Sequence, residues 1–582
     1  MRIYVPILLC CTGIAACTVG DRSGDDAAAS VIALADDYVS GYFSQFPDDA
    51  TSFGYPDADH GRLRDNSLAS VRAWQAREDA WLEHLRAIDP SAVAGTEAEV
   101  PYGFLREQLE ASVGFRACRM ELWNVSPTWT GWQNSYSALA SLQPVGSKEE
   151  LAQALSRYHE LPRFLQAEIE NLREGLRLGL TAPRNNVESV IEQMDGLLAA
   201  RPEDSPFYSP AGRAAPPEFG AELLPIVTEE IRPAIKTYRD FLVNEYLPEA
   251  REEIAVAANP DGADCYRAAI RYHTTLDMPP QEIRAMGLRQ MAQIRSEMQE
   301  IAERSFDTSD VSVLLQSLKS DPKYTFASRQ EIIDYAQAAV DRARAAVPDW
   351  FGIVPQAEVV IEPYAPFQEK SAPLGQYSSP AADGSRPGLY LINTYQPERQ
   401  SRAGVESVAF HEAYPGHHLQ GTIALERTGA HPVMRYFFIS GFGEGWGLYS
   451  ERLADEMGLF SDDVARMGLL SNEAHRAARL VVDAGMHALG WSRQQAIDYL
   501  LENTTLAPAN AAAEIDRYIA VPGQATSYMI GNLEIRRLRE MAEDELGAGF
   551  DIKQFHDRVL EDGAVPLPML GDKIEAWIDE SR

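Results

Sequence analysis

His411-Glu412-Ala413-Tyr414-Pro415-Gly416-His417-His418, entered through the apolar run Val408-Ala409-Phe410, is the stretch on which the reading of this chain turns. It places three imidazoles and a carboxylate within eight residues, in a chain with only 11 histidines among 582 residues. Those are the groups that bind zinc and move protons. In the common zinc-binding helix two histidines stand four apart on one face, and the glutamate after the first is the general base. Here the second histidine follows at six or seven. A spacing of six points it off the face of His411, and a spacing of seven adds about 10 Å of rise. Neither reaches one ion through bonds of about 2 Å unless the helix is distorted. Pro415 cannot donate to a preceding carbonyl, and Gly416 tolerates backbone angles closed to other residues. The expectation is a helix from near Ser401 to about Gly429, bulged or kinked at Pro415-Gly416. His411 is then a ligand and Glu412 the general base, with His417 or His418 as the second ligand.

Downstream, Gly443-Glu444-Gly445-Trp446-Gly447-Leu448-Tyr449-Ser450-Glu451 reads as another helix. Glu444 and Glu451 are separated by about 10 Å of rise, so only one of them can touch the ion. With the histidine segment, this stretch resembles the bacterial family catalogued as domain of unknown function 885. Its members carry a His-Glu-x-x-Pro-Gly-His-His motif and a Glu-Gly-Trp-Ala-Leu-Tyr-like segment. They resemble helical zinc carboxypeptidases of the carboxypeptidase Taq and oligopeptidase type. The likeness continues through Asp383-Gly384-Ser385-Arg386-Pro387-Gly388, Arg479-Leu480-Val481-Val482-Asp483 and Pro522-Gly523-Gln524-Ala525, and covers most of the chain from about residue 30. It implies His417 rather than His418 as second ligand and Glu444 as third. Glu451 then orients a histidine, or is a surface partner of Arg452.

His475, Arg479, Asp483 and His487 follow one another at intervals of four on an otherwise apolar helix, which stacks them on one face. One reading makes Arg479 a clamp for a substrate carboxylate, with Asp483 and His487 an acid-histidine pair facing the metal. The other makes the stripe a buried ladder between helices, with Arg479 paired to Asp483. Tyr528 is the candidate for stabilising an oxyanion opposite the metal, through the Gln-Ala-x-x-Tyr pattern of the relatives. Gln524 and Asn393 are expected to contact substrate.

The β signal is confined to Glu358–Glu362, Gly375–Ser378 and Gly388–Thr394, bounded by Pro and Gly. Elsewhere the hydrophobic spacing is helical, most clearly over Lys148–Leu178. The expected fold is therefore mainly α: a helical zincin-like metallohydrolase with a small antiparallel sheet and a deep cleft between two helical lobes. The lobes are placed at 31–265 and 266–582, the second being catalytic.

Residues 1–16 read as a signal peptide, with Arg2 its one charge and Ile3–Cys11 its apolar core. Ile14-Ala15-Ala16-Cys17 resembles the lipobox of bacterial lipoproteins, with Cys17 lipidated and Thr18 directing the protein to the outer membrane, facing the periplasm. Plain secretion is the alternative. Residues 17–30 form a flexible tether, so the only expected membrane contact is the lipid. Cys118 and Cys265 remain, as a disulfide or as two separate thiols. A net charge of -34, from 52 basic and 86 acidic residues, argues against nucleic acid as a partner. The expected activity is zinc-dependent hydrolysis of peptides, carboxypeptidase-like or oligopeptidase-like. A non-peptide amidohydrolase and a non-catalytic envelope protein with a structural zinc are the alternatives.

Overall fold

In the computed structural model, residues 21–214, 216–364, 369, 372–380, 386–427 and 429–582 are described. The signal segment, Cys17 and Asp383-Gly384-Ser385 lie outside them. The tether expected over 17–30 is already helical from Asp21, in a helix spanning Asp21–Gln45 whose Val31, Ala35 and Tyr38 are buried.

Helices build nearly all of the molecule, and each of the long ones follows its apolar spacing. Lys148–Arg177 opens with a capping box between Ser147 and Glu150 and buries Tyr158, Leu161, Phe164 and Leu165. Pro280–Phe306 lies along Asp463–Leu489, where a Cβ at Gly287 would meet the Leu480 side chain and the Ala477 carbonyl. Asp462 caps the start of that second helix by accepting from the Ala465 N–H, and Gly490 ends it at φ 73°. Buried apolar residues from Val31 to Ile578 make one continuous core. The lobe boundary expected after Cys265 falls inside the helix Gly262–Thr274, and Cys265 is disulfide-bonded to Cys118.

The sheet differs from expectation in its polarity. Its order is β1 (Val359–Pro363), β3 (Gly388–Ile392), β2 (Gly375–Ser378), with β1 parallel and β2 antiparallel to the central β3. It is therefore mixed, because β2 turns back along one side of β3 while β1 arrives on the other. This leaves β2 an edge strand, packed on the helix that carries His411.

That helix also differs from expectation. In place of one long kinked helix there are two, Val405–Glu412 and His417–Glu426, joined by a tight turn that includes a cis Tyr414–Pro415 bond. Gly416 is required here: a Cβ would lie 1.9 Å from the His411 carbonyl oxygen and 2.4 Å from that of Phe410. The Trp446 indole N–H donates to the Pro415 carbonyl at 3.0 Å, tying the turn to the helix Ser440–Glu456.

Ser440–Glu456 crosses Ser527–Leu546 almost backbone to backbone. A Cβ on Gly531 would fall 1.8 Å from the Gly441 carbonyl oxygen, and one on Gly445 would fall 2.5 Å from the Gly531 carbonyl carbon. No side chain can yield there, so the helices must part to admit a methyl group. Gly531→Ala is expected to cost about 1–3 kcal/mol, the usual range for overpacking. Chemical denaturation checks this, and an unchanged midpoint would show that the crossing is looser than described.

Candidate metal centre

The turn at Pro415-Gly416 brings His417 back beside His411. Their ring centroids lie 4.6 Å apart at 86°, and Glu444 reaches between them, its Oε2 3.5 Å from His417 Nε2 and 3.8 Å from His411 Nε2. One ligand atom from each of the three lies within 4.8 Å of the others. Tetrahedral zinc with bonds near 2 Å separates its ligand atoms by roughly 3.4 Å, so the residues fit such an ion.

Glycines set the approach. A Cβ on Gly447 would lie 2.6 Å from His411 Cε1, so the imidazole rests against bare helix backbone. The far side of that ring is held by Glu451, whose Oε1 is 2.9 Å from His411 Nδ1 and whose other oxygen accepts from the Ser407 hydroxyl. Glu451 is fully buried, with the Arg476 guanidinium 3.9 Å away, so it is no surface partner of Arg452. Arg452 pairs instead with Glu297 and Glu473. Burial opposes a charge on His411, but the carboxylates of Glu444 and Glu451 outweigh it and lift the imidazole to about 9. Burial likewise opposes the Glu444 charge, yet the adjacent imidazoles of His411 and His417 hold its carboxyl far below the usual range.

His418 is engaged elsewhere. Its Nε2 lies 3.0 Å from the Ala357 carbonyl and its Nδ1 3.1 Å from the Tyr377 hydroxyl, and burial pushes it down to about 4. The geometry thus groups His417, not His418, with His411.

Glu412 is half-buried and makes no hydrogen bond or ion pair among the described residues. Edge strand β2 passes beside it, since a Cβ on Gly375 would lie 3.4 Å from Glu412 Cγ. Its charge also raises Tyr364 and Tyr390, both shifted first by burial, and the Tyr390 hydroxyl is buried without a partner. These tyrosines were not among the candidates. Tyr390 sits in an ordinary strand alternation, and only its nearness in the fold to Gly375 of β2 and to the Glu412 charge singles it out.

Tyr528 lies within electrostatic reach of Glu444. Burial first, then the charge of Glu444, push its phenol up, and the hydroxyl has no hydrogen bond among the described residues. The Arg479 guanidinium lies 4.3 Å over its ring.

All four residues of the stripe are buried, as the ladder reading has them, but their partners differ from it. Arg479 does not pair with Asp483: its Nε donates to the Tyr518 hydroxyl at 2.8 Å and its Nη2 to Glu514 at 3.1 Å. Glu514 also takes Arg517 at 3.0 Å and the Tyr518 hydroxyl at 2.5 Å, with His475 at 3.6 Å. One carboxylate thus serves two guanidiniums, and Arg479 Nη1 is buried with no partner. Asp483 and His487 do not face the metal ligands. Asp483 accepts from the Tyr266 hydroxyl at 2.5 Å and the Gly523 N–H at 3.2 Å, and burial pushes it up to about 7. His487 bridges the Val256 N–H and the Tyr518 carbonyl. Both hold the segment leading to Tyr528. Gln524 accepts from Arg517 at 2.5 Å, and Asn393 binds the carbonyls of Glu369 and Ala372, so each positions protein rather than lying open to substrate. The signal missed in the sequence was Glu514, which meets Arg479 only through tertiary packing.

These features define a mainly helical protein with a partly buried His-His-Glu triad, next to a carboxylate, Glu412, that makes no hydrogen bond or ion pair among the described residues. The model of the family of bacterial proteins of unknown function DUF885 matches residues 47–574, and the chain belongs to that family. Among solved structures it is similar to a "putative lipoprotein" from Colwellia psychrerythraea, at 26% identity and TM-score 0.87, over 96% of this chain and 99% of that one. It also shares the fold of a "putative lipoprotein of unknown function" from Shewanella oneidensis, at 16% identity and TM-score 0.72, over 93% and 98%. No curated protein matches. Among the described residues no helix is long and apolar enough to cross a membrane.

Proposed function

We propose that this protein is a zinc-dependent hydrolase of peptide bonds, carboxypeptidase-like or oligopeptidase-like. The observation that carries the reading is the triad itself, with ligand atoms within 4.8 Å and a partner-free carboxylate on the residue after His411. His411, His417 and Glu444 would hold the ion, and Glu451 fixes the His411 ring. Since His418 is bonded to Ala357 and Tyr377, it does not close the site as a fourth ligand, which favours a catalytic over a structural zinc. When bound, zinc supplies Lewis acidity, polarising the scissile carbonyl and easing deprotonation of water.

The remaining work falls to the chain. Glu412 takes the proton of the attacking water and returns it to the leaving amine. The Tyr528 hydroxyl donates to the oxygen that becomes negative. Strand β2, whose outer edge is unpaired among the described residues, holds an extended peptide by main-chain hydrogen bonds. The unpartnered Arg479 Nη1 binds a free carboxylate of the substrate. Ile14-Ala15-Ala16-Cys17, with the names given to the two structural neighbours, supports a lipid anchor at Cys17 and action in the cell envelope, at the outer membrane facing the periplasm.

Three experiments test this. Glu412→Gln is expected to keep about one zinc per chain and lose peptide hydrolysis by at least about 100-fold. In parallel, metal analysis should find zinc lost in His417→Ala and kept in His418→Ala. Equal turnover by wild type and Glu412→Gln would remove the general base, and the reverse metal result would remove the triad. For Arg479, wild type should cleave peptides with a free C-terminus faster than their amides, and Arg479→Ala should erase that ratio. If the mutant instead melts earlier, having removed one of the two guanidiniums on Glu514, and keeps its selectivity, the arginine is structural.

A further inference from the structure

Phe438 is 54% exposed, although the chain around it is fixed. Phe437 packs into an aromatic cluster, 5.3 Å from Tyr38 and 4.9 Å from Tyr42 between ring centroids, while Ile439 and Phe442 are buried. The ring is therefore presented to solvent by anchored neighbours on both sides. A single exposed aromatic is ordinary on a protein surface, so its place must carry the argument.

That place is beside the triad. The ring covers Gly443, where a Cβ would come within 2.1 Å of Phe438 Cε2 and 2.4 Å of its Cζ. One turn further on, a Cβ at Gly447 would come within 2.6 Å of the His411 imidazole. Residues four apart share a helix face, with Cβ atoms about 5–6 Å apart. Phe438 and His411 thus lie in a row along one face of the helix, and Glu444, adjacent to Gly443, projects about 100° around from it. A lone ring offers far less than the roughly 300–600 Å² of the largest apolar patch on a typical monomer, which disfavours a protein partner as its occupant.

We infer that Phe438 is a specificity-determining wall of the site: it packs against the side chain of a substrate residue flanking the scissile bond, so that bulky apolar residues are preferred there. The inference rests on the hydrolase reading and adds the class of peptide. Its test uses two amino-acid hydroxamates, metal-binding probes that differ only in a benzyl or a methyl side chain, titrated calorimetrically into zinc-loaded protein. Wild type should bind the benzyl compound about tenfold or more tightly than the methyl one. Phe438→Ala should bring the two to near equality, with zinc content and methyl-compound affinity unchanged, and Phe438→Leu should keep part of the preference. Equal affinities in wild type, or a preference that survives in Phe438→Ala, would overturn the assignment, as would failure of the protein to hold zinc. Selective binding without cleavage of any peptide would sink the hydrolase reading and leave the wall standing. Cleavage indifferent to flanking side chains would do the opposite.

Discussion

The contact on which the rest depends is that of the His411 imidazole with the bare backbone of the Ser440–Glu456 helix at Gly447. A single methyl group there would displace the ring, and with it the alignment of Nε2 to Glu444 and of Nδ1 to Glu451. The same helix is pressed from its other side by Gly531 at Gly441 and Gly445, so it is located by steric limits on two faces. Dense interiors transmit such limits over short distances without loss. The carboxylates are then brought to the histidine by packing, and the pairing of buried charge follows from it.

Charge is distributed unevenly about that frame. The chain carries a net -34, yet Arg476, Arg479 and Arg517 all lie near enough to Tyr528 to oppose the upward shift of its phenol, with Glu514 shared between two of them. Buried guanidiniums are stable only when their donors are satisfied, and Arg479 Nη1 and Arg476 Nε are not. An anionic group entering beside Tyr528 would complete that network.

The sequence carried the parts of this arrangement that are local. His411, Glu412 and a second histidine at 417 or 418 were legible as candidates because ligand chemistry lies in residue types a few positions apart, and Pro415-Gly416 announced a break even though a reversal between two helices was read as a kink within one. The family resemblance carried the choice of His417 and the candidate Glu444. Helical spacing identified the long helices, and the three strands were found, but not their order or polarity, since pairing depends on partners distant in the chain. The stripe His475, Arg479, Asp483, His487 was correctly placed on one buried face. Its partners were not: Arg479 is met by Glu514, Asp483 by Tyr266, His487 by Val256. Phe438 and Tyr390 carry no pattern in the sequence, because what distinguishes them is the neighbour each acquires on folding.

The central claim is that folding assembles His411, His417 and Glu444 into a three-residue zinc site with a position left open. A crystal structure of the zinc-loaded protein, with anomalous data on both sides of the zinc edge, tests it most directly. The account predicts one zinc bonded at about 2 Å to His411 Nε2, His417 Nε2 and a Glu444 oxygen, with a non-protein fourth ligand and Glu451 still on His411 Nδ1. Zinc held by His418, four protein ligands around the ion, or an empty triad in zinc-saturated crystals would contradict it.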